Sequence, residues 1–236
     1  MRCDVWWGQV AAYAPWHDTL LDPAERDRRD RYAFRADRAR FAVAAALLRV
    51  VAGRMLGVAP EQVGVDRTCG SCGRPHGKPS LGAGAPQVSL SHSGDYVAVA
   101  VCPDAPVGVD VEQAARRTDY RSLVSHVLDP AEAPAVADEA AFLRYWVRKE
   151  ALVKATGDGL GAGLRGVVVT APDDAPRLLR YQRRPGLRAE LRDLAGRPGH
   201  LAAVAVLTSS PLEVTEHDGA PLLSGPGPRP GIAPAG

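Results

Sequence analysis

Four charged residues at two short spacings point to phosphate chemistry in this chain. Val107-Gly108-Val109-Asp110-Val111-Glu112 is apolar and β-branched except for two carboxylates at i and i+2. In a strand such positions share one face, so Asp110 and Glu112 project together and repel each other unless a cation or a basic side chain neutralises them. Further along, Trp146-Val147-Arg148-Lys149-Glu150-Ala151-Leu152-Val153-Lys154 reads as a helix that brings a third carboxylate, Glu150, and a cation one turn later, Lys154. Three hard oxygen ligands and an ammonium suit a Mg²⁺ that holds a diphosphate. Each piece alone has a plainer use. Glu150 and Lys154 at i, i+4 also make an ordinary exposed helix pair, and Asp110 serves as a turn or cap residue if Glu112 lies beyond the strand end.

The faces of that helix argue for more than an exposed pair. At 100° per residue, Phe142, Tyr145, Trp146, Leu152 and Val153 fall on one stripe, with Arg144, Arg148 and Ala151 opposite. Lys149 sits in the middle of the apolar stripe, and Glu150 and Lys154 lie on its flank. A charge at the centre of a burying face is unfavourable unless an opposite charge meets it. An anionic ligand beside the helix would supply one; alternatively the Lys149 stem carries its ammonium out to water.

Two further segments add cations and hydroxyls. Arg74-Pro75-His76-Gly77-Lys78-Pro79 is a Pro- and Gly-punctuated loop, unsuited to a helix or a central strand, and it reads as an anion clamp or as a solvated basic loop. Val88-Ser89-Leu90-Ser91-His92-Ser93-Gly94 runs into the strand-like Tyr96-Val97-Ala98-Val99-Ala100-Val101. Hydroxyls and an imidazole there can hydrogen-bond a phosphate. A lone His in that place serves equally as a structural donor.

In this order, the motifs at 76–79 (His-Gly-Lys-Pro), 89–93 (Ser-Leu-Ser-His-Ser), 107–112 and 146–154 (Trp-x-x-Lys-Glu-Ala-x-x-Lys) resemble the 4′-phosphopantetheinyl transferases of the longer, Sfp-like (EntD-like) type. The resemblance spans roughly residues 5–207, and the ordered set is far more specific than any one member. It implies an enzyme dependent on Mg²⁺, or on Mn²⁺ in its place. Such an enzyme moves the phosphopantetheine arm of coenzyme A onto a serine of an apo acyl or peptidyl carrier protein and releases adenosine 3′,5′-bisphosphate. Position by position, Asp110, Glu112 and Glu150 would be the metal carboxylates, and Lys154 would lie against the diphosphate. Lys78, Pro79, Ser91 and His92 match positions that contact coenzyme A, including its 3′-phosphate, and Lys149 would join them. The family's basic segment before the first long helix corresponds to Glu25-Arg26-Asp27-Arg28-Arg29. Arg28 and Arg40 are the candidates for the nucleotide phosphates, unless Arg26 to Arg40 simply form a wet helix face.

The chemistry follows from the charges. An alcohol is a poor nucleophile and a diphosphate a crowded anion, so catalysis has to neutralise and to position. Glu150 is the expected base for the serine hydroxyl, with Asp110 the alternative, and Lys154 stabilises charge on the leaving phosphate. Two other functions remain open on the residues alone: a different Mg²⁺-dependent phosphotransferase or nucleotide hydrolase using the same acids, and a coenzyme A-binding module without turnover.

Composition agrees with this picture. The 236 residues are 46% hydrophobic with a net charge of +2, enough for one sizeable core or two small ones and unlike a nucleic-acid or membrane-surface binder. No apolar run is long enough to cross a bilayer and Met1–Trp6 lacks the hydrophobic stretch of a signal peptide, so a cytoplasmic location is expected. Of four cysteines, only Cys69 and Cys72 are spaced like metal ligands. A zinc site would also need His76 and a distant partner such as Cys3 or Cys102, and unpaired thiols in a Gly-rich turn are the preferred reading.

The organisation reads as α+β in two halves. Residues 1–103 form an N-terminal half with the coenzyme A loops, 104–208 a C-terminal half with the metal and the catalytic helix, and 209–236 a flexible Pro- and Gly-rich tail. Strands are expected at 3–11, 96–101 and 107–112 and near 165–170, 187–192 and 201–207, with helices at 35–56 and 139–155. The glycine-rich run at 157–163 reads as a hinge or gating loop, since no strand precedes it as a phosphate-binding loop would need. That the halves fold alike about a pseudo-twofold axis, with the active site at their interface, comes from the family alone. Two halves in one chain suggest a monomer.

Overall fold

The chain, seen here as a computed structural model, is described over residues 1–70, 72–114, 119–159, 161 and 163–225. Its first half runs β1 (Arg2–Gln9), α1 (Trp16–Thr19), α2 (Pro23–Asp30), α3 (Arg35–Leu56), β2 (Asp66–Thr68), β3 (Pro75–Ser80), β4 (Gln87–Ser93) and β5 (Tyr96–Cys102). There follow β6 (Val107–Gln113), α4 (Tyr120–Val127), α5 (Glu139–Thr156), β7 (Val167–Val169), β8 (Leu178–Tyr181), β9 (Glu190–Asp193) and β10 (His200–Val206). The chain closes with β11 (Glu213–Asp218) and α6 (Ala220–Leu223).

Every residue of β5 after Tyr96 is buried, so both of its faces have to be covered. Val97, Val99 and Val101 meet α3, while Ala98, Ala100 and Cys102 face the opposite way. That second face packs on Val107, Val109 and Val111 of β6 and Ala202, Val204 and Val206 of β10. Strand alternation therefore builds two sheets back to back, one ordered β11-β1-β5-β4 and the other β6-β10-β9. Each sheet gives its outer face to one long helix, α3 on the first and α5 on the second. This is the expected α+β architecture in two halves. Among the described residues no helix is long and apolar enough to cross a membrane.

The sheets also meet edge to edge. β4 runs beside β6 in the same sense: the Val109 N–H donates to Ser89 Oγ at 3.1 Å and the Gln113 N–H to Ser93 Oγ at 3.1 Å. Side-chain hydroxyls thus stand where a strand's carbonyls would, satisfying the β6 edge without a backbone ladder.

α5 starts at Asp138, whose carboxylate accepts the Ala141 N–H at 2.8 Å, and ends at Gly157 in the left-handed region. Its sequence looks amphipathic, yet it is buried on nearly every side, Arg148 and Ala151 included. Arg148, placed opposite the apolar stripe, reaches no solvent. Its guanidinium donates to both Asp193 oxygens and to the carbonyls of Thr170, Ala171, Pro172 and Asp174. The helix lies close on β6 because Gly108 has no Cβ; one built there would stand 2.0 Å from the Ala151 carbonyl oxygen and 2.4 Å from the Ala155 nitrogen. Gly108→Ala is therefore expected to push α5 off β6 and lower stability by at least about 1–3 kcal/mol. Urea unfolding checks this, and a midpoint equal to that of the parent protein would contradict it.

Two segments depart from the sequence reading. The tail expected from 209 onward is folded as far as the chain is described. Glu213–Asp218 adds to the sheet as β11, parallel to β1 with Arg2 opposite Glu213, and Leu223 of α6 is buried in the α3 core. Residues 226–236 lie outside the described residues. The basic loop at 74–79 is in part a strand, since β3 pairs with β2 in a two-stranded ribbon that joins neither main sheet by its ladder. Proline is tolerated in such an edge position. Within the run at 157–163, Leu160 and Ala162 lie outside the described residues.

Candidate active site

Gly108, Asp110 and Glu112 occupy the face of β6 turned to α5, one turn of which carries Glu150 and Lys154. Lys154 Nζ donates to Asp110 Oδ1 at 2.6 Å and to Ser91 Oγ at 2.9 Å, and Ser91 Oγ donates to the same Asp110 oxygen at 2.9 Å. Glu112 Oε2 accepts from Ser93 Oγ at 2.8 Å. Asp110 and Glu150 are both buried. Asp110 Oδ2 and Glu150 Oε1 find no hydrogen-bond partner among the described residues, which is unfavourable for a buried carboxylate.

Burial, reinforced by the negative charge of Asp110, pushes the Glu150 carboxyl up to about 7; Lys154 opposes the shift and Glu112 adds to it. The folded protein therefore holds this proton more tightly than the unfolded chain does. The resulting stability is fully present below the ordinary value of 4.5 and is lost as pH rises through about 7. In the presence of a chelator, unfolding free energy is expected to fall by on the order of 2–3 kcal/mol across that window from this group. Glu150→Gln should remove the fall, and a chemical-denaturation series against pH reads both; an equal fall in the variant would contradict the assignment.

These residues fit a hard divalent cation. Carboxylate and hydroxyl oxygens are the donors that Mg²⁺ and Mn²⁺ take, and two acid oxygens are buried without a partner. The acid oxygens of Asp110, Glu112 and Glu150 are not all within 4.8 Å of one another. Opposite ligands in an octahedron of ~2.0–2.1 Å bonds stand about 4.2 Å apart, so gathering all three acids on one ion takes a side-chain rotation.

The remaining candidates divide into three groups. His92 points away from the serines, on the α3 side of β4. Burial, then the nearby Arg40 and Lys154, bring it down to about 4, so it is neutral at pH 7. Arg40 is fixed beside it by hydrogen bonds to the Gly94 carbonyl, at 2.8 Å, and to Asp37. Arg28 lies over the Phe41 ring and lines a cavity of about 420 Å³ with Arg31, Tyr32, Arg74, Pro75 and His76. Lys78 Nζ donates to the Ala155 carbonyl at 2.8 Å near the end of α5, a favourable place for a cation, and burial brings it down to about 8. Pro79 follows it, half-buried. Arg31 and Tyr32 carried no signal in sequence beyond following a basic helix.

Two expectations require correction. Lys149 is not available to a ligand. It has no exposed surface, and its ammonium donates to Glu132 Oε2 at 2.5 Å and to the carbonyls of Val127 and Leu164. The counter-charge demanded by its place on the apolar stripe comes from Glu132. Ser91 sits in the site but turns its hydroxyl to Asp110 and Lys154, because alternate residues of β4 face β6. Glu25, within the basic segment, is also structural: it forms a capping box with Asp22 and pairs with buried Arg49 at 2.7 Å.

Comparison with known proteins agrees with this geometry. Residues 7–104 match the family model of the 4′-phosphopantetheinyl transferase N-terminal region, and residues 106–205 match that of the 4′-phosphopantetheinyl transferase superfamily. The chain is similar to a putative 4′-phosphopantetheinyl transferase of Synechocystis sp., with 30% identity over 72% of this chain and 69% of the relative. It is 34% identical to the 4′-phosphopantetheinyl transferase HetI of Nostoc sp., over 59% of this chain and 61% of the relative. The 4′-phosphopantetheinyl transferase psf-1 of Bacillus pumilus is 32% identical over 66% of each. The chain belongs to the 4′-phosphopantetheinyl transferase superfamily, of the Sfp-like type.

Proposed function

We propose that this enzyme transfers the 4′-phosphopantetheine moiety of coenzyme A to a serine hydroxyl of an apo acyl or peptidyl carrier protein, releasing adenosine 3′,5′-bisphosphate. The observation that carries the reading is the pair of buried acids Asp110 and Glu150, each with a partnerless oxygen, with the half-buried Lys154 on Asp110 and Glu112 alongside. Asp110, Glu112 and Glu150 would hold Mg²⁺, or Mn²⁺ in its place. When bound, the ion draws charge from the diphosphate and orients it.

The chain's own residues supply the rest. Glu150, whose carboxyl burial raises to about 7 in the metal-free protein, takes the proton from the serine Oγ in its ionised form. The hydroxyl oxygen forms a bond to the phosphorus that carries the pantetheine arm, and the bond from that phosphorus to the bridging oxygen breaks. The bridging oxygen leaves with the adenosine 3′,5′-bisphosphate, its growing charge met by Lys154 Nζ. Ser91 keeps Lys154 and Asp110 in register. The cavity lined by Arg28, Arg31 and Arg74 accepts the nucleotide phosphates, with Tyr32 as an aromatic wall. His92, neutral beside Arg40, offers a hydrogen bond to the nucleotide without adding charge. Lys78, whose ammonium donates to the Ala155 carbonyl at the end of α5, supplies a further cation to coenzyme A. The enzyme acts as a monomer on cytoplasmic carriers.

Incubation with coenzyme A, Mg²⁺ and an apo-carrier tests the proposal. The carrier should gain the mass of one phosphopantetheine, and chelation should abolish the gain. Release of nucleotide with no change in carrier mass, across carriers from several pathways, would favour a hydrolase using the same acids and overturn the reading.

A further inference from the structure

The β2–β3 ribbon carries a cluster that phosphopantetheinyl transfer does not use. Among the described residues, Cys69, Cys72 and His76 form the one group of three His, Cys, Asp or Glu side chains whose ligand atoms all lie within 4.8 Å of one another. Cys72 Sγ lies 3.0 Å from His76 Nε2. Both cysteines are free thiols.

The local backbone is built to bring them together. The Gly73 N–H donates to the Cys69 carbonyl at 2.8 Å and the Cys69 N–H to the Arg74 carbonyl at 2.9 Å, which ties Cys69 to the residues that follow Cys72. Gly73 takes φ +71, a conformation that a residue with a Cβ rarely adopts. On the other strand, a Cβ at Gly77 would stand 2.8 Å from the Thr68 carbonyl oxygen and 3.1 Å from Cys69 Cα. Only glycine lets His76 approach the thiols from across the ribbon.

Sulfur and imidazole nitrogen in this arrangement select zinc over the hard cation that suits the carboxylate site. Bonds of ~2.3 Å to sulfur and ~2.0–2.1 Å to nitrogen in a tetrahedron set the ligand atoms about 3.5–3.8 Å apart, within the 4.8 Å spread of the cluster. Two thiolates and a neutral imidazole balance the dication. The chain's other cysteines, Cys3 and Cys102, are buried in the core between the sheets and do not supply a fourth ligand. We propose that Cys69, Cys72 and His76 bind one Zn²⁺, with water in the fourth position, and that this ion fixes the ribbon that walls the basic cavity.

The placement gives the ion a purpose. A two-stranded ribbon is marginally stable by itself, and β3 is largely exposed. Yet Arg74, Pro75 and His76 form one wall of the 420 Å³ cavity opposite Arg28 and Arg31. Joining the turn to the start of β3 through one ion holds Arg74 where an anion in the cavity would meet it.

The test needs no coenzyme A, so its result is independent of the transfer reaction. Full-length protein with reduced thiols is titrated with Zn²⁺ alone and measured by native mass spectrometry; about one zinc per chain is expected. Co²⁺ in its place should give the intense visible bands and sulfur charge-transfer absorption of a tetrahedral thiolate site, a readout that requires no variant. Cys69→Ser/Cys72→Ser should lose both signals while keeping the parent circular dichroism, and Asp110→Asn should keep both. Failure of the reduced parent protein to take up zinc would overturn the proposal, as would equal uptake by the double-serine variant.

Discussion

Glu150→Gln is expected to reduce kcat for carrier modification by about 10²–10⁴-fold, the contribution typical of a positioned general base. The buried carboxyl near 7 makes the sign of the pH dependence explicit. A base must be ionised, so the parent enzyme's rate should rise with pH along one limb and then level, and a cation bound beside Glu150 would set that limb below the metal-free value. Glutamine cannot ionise, so that limb should vanish in the variant while the remaining rate stays flat. Glu150 is also a metal candidate, and loss of the ion alone would lower the rate too. Measuring the variant at saturating Mg²⁺, beside Asp110→Asn, separates the two. Asp110→Asn should weaken Mg²⁺ affinity and unsettle Lys154, which donates to Asp110 Oδ1 at 2.6 Å, yet keep a limb, moved to lower pH because the Asp110 charge that helps raise Glu150 is gone. The parent's limb persisting in Glu150→Gln with metal bound would remove Glu150 as the base.

Why these residues were readable in sequence, and others not, is a question of range. Asp110 and Glu112 announce themselves by the period of two in a β-branched run, and the helix carrying Glu150 and Lys154 by its apolar spacing. Both are local signals. The close contact that joins the two elements is also written locally, as Gly108, but its meaning depends on which backbone lies above it. The Ser89-x-Ser91-x-Ser93 alternation was visible as a row of hydroxyls. That the row would face the edge of β6, and not only a ligand, required knowing that β4 is the last strand of its sheet.

Composition misled at the C-terminus. Glu213-Val214-Thr215-Glu216-His217-Asp218 is polar and flanked by prolines and glycines, so it carries little of the apolar alternation that marks a strand. It is held instead by its backbone ladder to β1 and by pairs across it: Trp6 stacks on His217, which bonds Asp4, and Trp7 Nε1 donates to Glu216. Arg148 shows the converse. A guanidinium on a helix is ordinarily a surface residue, but five donors in a fixed fork can be satisfied inside a protein when a loop turns its carbonyls inward, as residues 170–174 do here.

Lys149 is where the motif and the structure part most clearly, and Lys149→Met is expected to lower stability by about 3–5 kcal/mol, the usual result of removing one partner from a buried ion pair. The carboxylate left behind is Glu132, itself buried, which also accepts the Val169 N–H at 2.9 Å and the Asp129 N–H at 2.8 Å. Those two backbone donors keep Glu132 in place, so it cannot swing out to water when the ammonium is gone. Glu132→Gln added to Lys149→Met removes the uncompensated charge but keeps an oxygen for one of the donors, and part of the stability should return. In a chain of this size each kcal/mol moves the melting temperature by roughly 2–4 °C, so the single variant should melt roughly 6–20 °C below the parent. Folded Lys149→Met, assayed well below its melting point, should keep the parent KM for coenzyme A, because the ammonium it lacks never reached the cavity. A variant that melts like the parent but needs far more coenzyme A would return Lys149 to the ligand site and show that Glu132 is not its working partner.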